Sequence, residues 1–269
     1  MKRAFVRALA ACAVACAALR FASQPLCAAD EPLRVSAPAA LLPIAKRIAE
    51  HYASTYARRV DVIGRGSRDG IAALRAGQVD IALSDSAPGE EGLVQTTIAY
   101  APIALVADPN VGVSSLRAAD ARAVLAGTIS SWRALGGRDV SIVVFERAAG
   151  SATDRVVTDA FALDRKRNRF VVEDTSAGVV GDVRTTPGGL GIVVLPYAGD
   201  LSGVRVLAID GHAPDAAGVR AGYPLLGAEL AITLGVPTLG TSRFVALLRS
   251  SSDVWRASAL IPVRDLPAR

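Results

Sequence analysis

An α/β fold of two lobes, joined by two crossover strands and holding a ligand cleft between them, is what this sequence predicts. Three observations carry the expectation. From residue 30 onward, strand-like apolar runs alternate with segments of helical periodicity. Two of the runs, Ile98 to Ala107 and Leu190 to Leu195, are apolar almost throughout, as buried strands passing from one lobe to the other would be. Short loops carrying Gly, Ser and Asp close several of the strands, which is where α/β folds place their ligands.

In chain order, Leu33-Arg34-Val35 reads as a short strand, and Leu41, Ile44, Ala45, Ile48 and Tyr52 recur at helical spacing. Val60 to Ile63 is the next strand. It runs into the loop Gly64 to Gly70, and Ile71 to Arg75 form a short helix stopped by Gly77. Val79, Ile81 and Leu83 alternate as a third strand ahead of Ser84-Asp85-Ser86-Ala87-Pro88. The long strand Ile98 to Ala107 precedes a helix over Ala118 to Leu125 and a single turn at Ser131 to Leu135, closed by Gly136-Gly137. Ile142 to Phe145 is a strand, and Val156, Val157, Ala160 and Phe161 mark the helix that follows it. Leu190 to Leu195, a helix around Phe244 to Leu248 and a strand near Leu260 to Val263 complete the series, with mostly parallel pairing expected. Residues 30–105 and 198–269 would form one lobe, and 106–197 an inserted second lobe.

Residues 1–29 stand apart. Lys2 and Arg3 precede an Ala-rich apolar stretch from Ala8 to Leu19, and Cys27-Ala28-Ala29 offers small residues for cleavage, so the segment reads as a secretory signal peptide and the protein as periplasmic. The stretch falls short of the ~20 residues a spanning helix needs, and neither Cys16 nor Cys27 sits in a good lipobox. All three cysteines lie in this leader, so the mature chain is expected to hold no disulfide. The leader also carries Lys2, Arg3, Arg7 and Arg20 and no acid, so its removal lowers the net charge from +5 to +1. A nucleic-acid binder would keep a basic excess, and that class is therefore set aside. The one dense basic run, Arg165-Lys166-Arg167-Asn168-Arg169, reads as a solvated helix end.

The chemistry-bearing residues collect at three loops. Arg147-Ala148-Ala149-Gly150-Ser151-Ala152-Thr153 follows a strand and opens a helix, whose first amides lack intrahelical partners and suit an oxyanion, and Arg147 adds a planar fork of donors. A capped helix beside a solvated arginine accounts for the same residues equally well. The Gly64 to Gly70 loop misses the dinucleotide fingerprint by one residue; Gly64, Gly66 and Ser67 suit a smaller anion, and a helix capped by Ser67 or Asp69 is as compatible. Asp85 alone reads as a turn-forming residue before Ser86-Ala87-Pro88.

The order Gly66-Ser67, Ser84-Asp85-Ser86-Ala87-Pro88, Gly127-x-Ile129-x-x-Trp132-x-x-Leu135-Gly136-Gly137 and Arg147-x-x-Gly150-Ser151-x-Thr153 resembles the periplasmic phosphate-binding proteins of ABC uptake systems. Pro187 to Gly191 and Gly222-Tyr223-Pro224-Leu225 extend the resemblance over nearly the whole mature chain. It implies the type II periplasmic-binding-protein fold, a monomer that closes on inorganic phosphate or a similar oxyanion and hands it to an ABC permease at the inner membrane. It also implies contacts to the ligand from Ser67, Asp85, Arg147, Ser151 and Thr153, with the amide of Ala152 among the donors. Asp85 would accept a hydrogen bond from the proton that hydrogen phosphate carries and sulfate lacks, and would repel sulfate. Ser36 is the candidate to replace the Thr donor of the family's first loop as a ligand contact, Ala149 replaces an Asp that braces the arginine, and Ala152 replaces a Gly.

No catalytic residue, cofactor or metal site is expected. His51 and His212 are the only histidines and lie in no catalytic motif; the first reads as a helix surface residue and the second as part of a turn. The alternative to a transport role is a noncatalytic sensory or interaction protein that keeps the fold with altered or lost anion binding.

Overall fold

The structure, a computed structural model, describes residues 31–89, 91–164 and 170–267. The leader 1–29 and the basic run 165–169 lie outside the described residues. All described elements belong to the unit Leu33–Arg269, and no helix among the described residues is long and apolar enough to cross a membrane.

Strand β1 (Leu33–Ala37) leads to helix α1 (Leu42–Tyr56), whose expected stripe of Ile44, Ala45, Ile48 and Tyr52 is buried. Strand β2 (Val60–Gly64) follows, then helix α2 (Ser67–Arg75), strand β3 (Ile81–Ser84) and the long strand β4 (Leu93–Ala107). Next come β5 (Ser115–Leu116), α3 (Ala118–Leu125), β6 (Val143–Arg147), α4 (Ala152–Phe161), β7 (Val171–Glu173) and α5 (Ser176–Thr185). The chain ends with β8 (Gly189–Val194), β9 (Arg205–Ile209), α6 (Ala216–Ala221), β10 (Leu226–Leu234), α7 (Leu239–Ser250), α8 (Ser252–Ala257) and β11 (Ile261–Pro262).

The strands lie in the order β2-β1-β3-β10-β4-β8-β6-β7. β4 joins two sets of partners: Leu93 to Pro102 pairs with β10, while Ile103 to Ala107 pairs with β8 and, over its last residues, β9. Among the described strands β8 pairs with that second half of β4 and with β6, whereas β10, from Leu226 onward, pairs with β3 and with the first half of β4. Pairing is mixed, not mostly parallel. β1 pairs in parallel with β2 and β3, as does β6 with β7 and β8, but every ladder made by β4 or β10 is antiparallel. β10, which the sequence reading did not identify as a strand, inserts antiparallel between β3 and β4, and β4 is antiparallel to β8, β9 and β11 as well.

Separate apolar clusters back the two sets. Leu33, Val35, Ile48, Tyr52, Phe244 and Trp255 pack together around β1 and α1, and Leu105, Trp132, Phe161, Leu190, Leu207 and Tyr223 pack around the second half of β4. Each such side chain contributes about 1.5–3 kcal/mol on burial. The polar tips within these clusters are satisfied: the Trp132 indole N–H donates to the Gly188 carbonyl at 2.8 Å and the Tyr223 hydroxyl to the Ile103 carbonyl at 2.7 Å. Gly188 has φ +76°, and a Cβ there would collide with the carbonyl oxygen of Ser141, so the turn into β8 requires glycine.

A cleft and an inner pocket at the strand ends

Helix α2 begins at Ser67, four residues earlier than its apolar pattern indicates, and Ser67 does not cap it. Its Oγ instead donates to Asp85 Oδ1 at 2.8 Å, and the Asp85 amide donates back to Ser67 Oγ at 3.3 Å. The preceding glycines do not serve as left-handed hinges, since neither Gly64 nor Gly66 has positive φ. Gly64 is close to Leu42, whose Cδ2 a Cβ would meet at 3.3 Å.

The second loop is built by local capping. Ser151 is the N-cap of α4 and accepts from the Asp154 amide at 3.1 Å, while the Asp154 carboxylate accepts from the Gly150 amide at 2.8 Å, a close relative of the capping box. Gly150 has φ +79°, which the turn demands. Asp154 thus braces this loop from within the helix, where the sequence offers only Ala149 on the strand side. Arg147 is the last residue of β6, and its Nε is buried without a hydrogen-bond partner among the described residues.

These loops surround two adjoining spaces. A wide cleft of about 700 Å³ is lined by Ser67, Arg68 and Arg75 of α2, by Asp85 to Pro88, and by Gly150 to Ala152 with Arg155. A small pocket of about 100 Å³ lies beside it, lined by Asp85, Arg147, Ser151, Ala152 and Thr153 together with Ser176, Tyr197 and Glu229. Asp85, Ser151 and Ala152 border both. A water takes about 30 Å³ of liquid, so the pocket suits a solute of a few heavy atoms.

Of the residues singled out from the sequence, Ser67, Asp85, Arg147, Ser151, Ala152 and Thr153 therefore converge on these two spaces. Ser36 does not. It is fully buried at the end of β1, lines neither space, and sits under α2, where a Cβ on Gly70 would come within 2.7 Å of its Oγ.

Three polar side chains of the pocket escaped the sequence reading: Ser176, Tyr197 and Glu229. Ser176 Oγ accepts from the Val194 amide at 3.1 Å. Tyr197 Oη donates to Glu229 Oε1 at 2.8 Å, and Glu229 is 2 % exposed with Oε2 unpartnered. Burial pushes the Glu229 carboxyl up, the Tyr197 hydrogen bond pulls it down and the negative charge of Asp85 pushes it up again, for a net value of about 8. Burial, and then Glu229, push the Tyr197 phenol upward as well. The one available signal was an acid inside an otherwise apolar run, Leu226 to Leu234.

No group of His, Cys, Asp and Glu among the described residues could hold a metal ion. His51 is exposed on α1, and His212 lies in the turn after β9, where its amide donates to the Ile209 carbonyl.

The pocket's donors, its arginine and its size suit a small oxyanion, and comparison with known proteins agrees in kind. The chain is 29 % identical over 251 residues to the phosphate-binding protein PstS of Bacillus subtilis, covering 88 % of this chain and 83 % of that protein. Among solved structures, it resembles a substrate-binding protein from Clostridium perfringens with bound phosphate (TM-score 0.71, 24 % identity, 87 % of this chain and 100 % of that one). It also resembles an ABC-type phosphate transport receptor from Vibrio cholerae (TM-score 0.69, 20 % identity, 86 % and 99 %). The family model of the PBP superfamily domain matches residues 22–222, and the chain belongs to that family.

Proposed function

We propose that this protein is a periplasmic solute-binding protein that captures an inorganic oxyanion, phosphate first, and presents it to the permease of an ABC transporter, without chemistry. The observation that carries this reading is the pocket of about 100 Å³ in which Arg147, Asp85, Ser151 and Thr153 meet. The phosphate-binding proteins to which the chain is similar support the choice of ligand.

Each residue has a role in this reading. Arg147 Nε, buried and unpartnered, gives a charge-assisted bond to an anion oxygen. Thr153 and the amides opening α4 give neutral donors, and Ser151, its Oγ already accepting from the Asp154 amide, keeps its hydroxyl proton to donate. Ser67 holds Asp85 in place through the reciprocal pair, and Asp85 accepts a hydrogen bond from the hydroxyl of hydrogen phosphate. Ser36 acts only as packing beneath α2.

Capture takes place by closure of two lobes about β4 and β10, and the protein acts as a monomer. The pairing of β9 with Leu105 to Ala107 supports assigning residues up to about Leu225 to the second lobe, further along the chain than residue 197. Calorimetric titration of phosphate, sulfate and molybdate into ligand-stripped protein tests the function. Selective binding of phosphate is expected, and binding of none of the three would overturn the transport reading in favour of an interaction protein.

A further inference from the structure

We propose that Glu229 is a second carboxyl of the anion pocket, present there in its acid form, and that its Oε2–H donates a hydrogen bond to the bound oxyanion opposite the acceptor Asp85. The inference rests on the anion-binding reading and adds to it a residue and a proton.

Position comes first. Between Glu229 and Leu230 the ladder of β10 with β4 shifts register, so that Glu229 faces Ala99, Leu230 faces Thr97, and Ile98 is left over. Bulges of this kind re-aim a side chain next to a site. Here the strand delivers the carboxyl of Glu229 to the wall of the pocket that also holds Asp85, Arg147, Ser151 and Thr153.

Hydrogen bonding then separates the two oxygens of Glu229. Oε1 accepts from Tyr197, whose phenol keeps its proton because burial and the neighbouring carboxyl both oppose ionisation. Oε2 is buried with no partner. A lone carboxylate oxygen in that setting is costly to desolvate, whereas a carboxylic acid supplies the donor the pocket can use.

The surrounding charges favour the acid. The polar groups that line the pocket with Glu229 are Asp85 from the loop after β3, Arg147 from the end of β6 and the Tyr197 hydroxyl, with the uncharged hydroxyls of Ser151, Thr153 and Ser176. Arg147 Nε has no hydrogen-bond partner and no ion pair to Glu229 is present among the described residues, so the Tyr197 hydrogen bond is left to offset a second negative charge without a cation. With the net value for the carboxyl at about 8, the acid predominates at neutral pH. Among its described lining residues the pocket then presents one cation, one anion, one neutral acid and a set of hydroxyls, which matches an oxyanion that both donates a hydrogen bond to Asp85 and accepts one from Glu229.

The test is calorimetric titration of inorganic phosphate at pH 6, 7, 8 and 9 and constant ionic strength, with wild type, Glu229→Gln and Tyr197→Phe. If the acid form is required, wild-type affinity falls about tenfold between pH 7 and pH 9 beyond the change seen in Glu229→Gln. The titration of phosphate itself is common to all three proteins and drops out of the comparison. Glu229→Gln binds roughly tenfold more weakly than wild type at pH 7, because an amide is the weaker donor, and loses the extra decline. Tyr197 is a positioning residue: without its hydroxyl the Glu229 carboxyl rises further, and the wild-type decline moves to higher pH. Parallel pH profiles for wild type and Glu229→Gln overturn this role while leaving phosphate binding intact. If Glu229→Gln does not fold, an unshifted profile in Tyr197→Phe overturns it instead. Absence of phosphate binding by wild type at every pH overturns the transport function and this role with it.

Discussion

Ser67 and Asp85 form a reciprocal pair: the Ser67 hydroxyl donates to Asp85 Oδ1 at 2.8 Å, and the Asp85 amide donates to Ser67 Oγ at 3.3 Å. The pair joins the first turn of α2 to the loop after β3, and leaves Asp85 Oδ2 as the oxygen able to accept from a protonated ligand. Asp85→Asn turns an acceptor-only group into one that also donates. Discrimination of phosphate against sulfate, measured as the ratio of calorimetric affinities, should fall by about tenfold or more; an unchanged ratio would remove Asp85 from selectivity.

Arg147 is the one cationic side chain among the described residues lining the inner pocket, and its buried Nε has no hydrogen-bond partner among them. Arg147→Lys retains a charge but loses the planar fork, and phosphate binding should weaken by about 1.5–3 kcal/mol. Titration calorimetry with thermal unfolding as a control separates this from loss of fold.

Gly70 lies on the face of α2 that covers Ser36. A methyl group at Gly70 would meet Ser36 Oγ at 2.7 Å, and Ser36 is fully buried with little room to yield. Gly70→Ala should destabilise the protein by about 1–3 kcal/mol in urea unfolding, despite the higher helix propensity of alanine. A stabilised variant would show that α2 does not pack on Ser36 in solution.

Glu229 makes stability depend on pH. Its folded value of about 8 lies above the 4.5 of a free glutamate, so between these values the folded chain holds a proton that the unfolded chain releases. Stability is greatest below pH 4.5 in this contribution and is lost as pH rises toward 8, with a slope of at most about 1.4 kcal/mol per pH unit. Urea unfolding at pH 5, 6, 7 and 8 should show a steeper decline for wild type than for Glu229→Gln, and equal slopes would contradict the raised carboxyl.

Much of the site was legible where it is local. The turn from Arg147 to Thr153 is specified by neighbours three or four residues apart: Ser151 accepts from the amide of Asp154, whose carboxylate takes the amide of Gly150. The helical stripe of α1 was visible for the same reason, since period and burial coincide there, whereas β3 is buried on both faces and the alternation of Ile81 and Leu83 marked the strand without marking a solvent face. The start of α2 was misread, because Gly66 and Ser67 look like loop residues until Asp85 takes up the serine hydroxyl.

What the sequence determined by itself was the order of strands, loops and helices on one side of the pocket, and the placing of Ser67, Asp85, Arg147 and Ser151 at strand ends. Short-range hydrogen bonds and apolar periodicity are written in adjacent residues, so they can be read there. Only the tertiary structure decided that β10 inserts antiparallel between β3 and β4, that a bulge turns Glu229 inward onto Tyr197, and that Ser36 is sealed beneath Gly70. Those outcomes depend on which distant apolar faces bury one another and on the register they settle into, and a protonated carboxyl exists there only because that burial removes it from water.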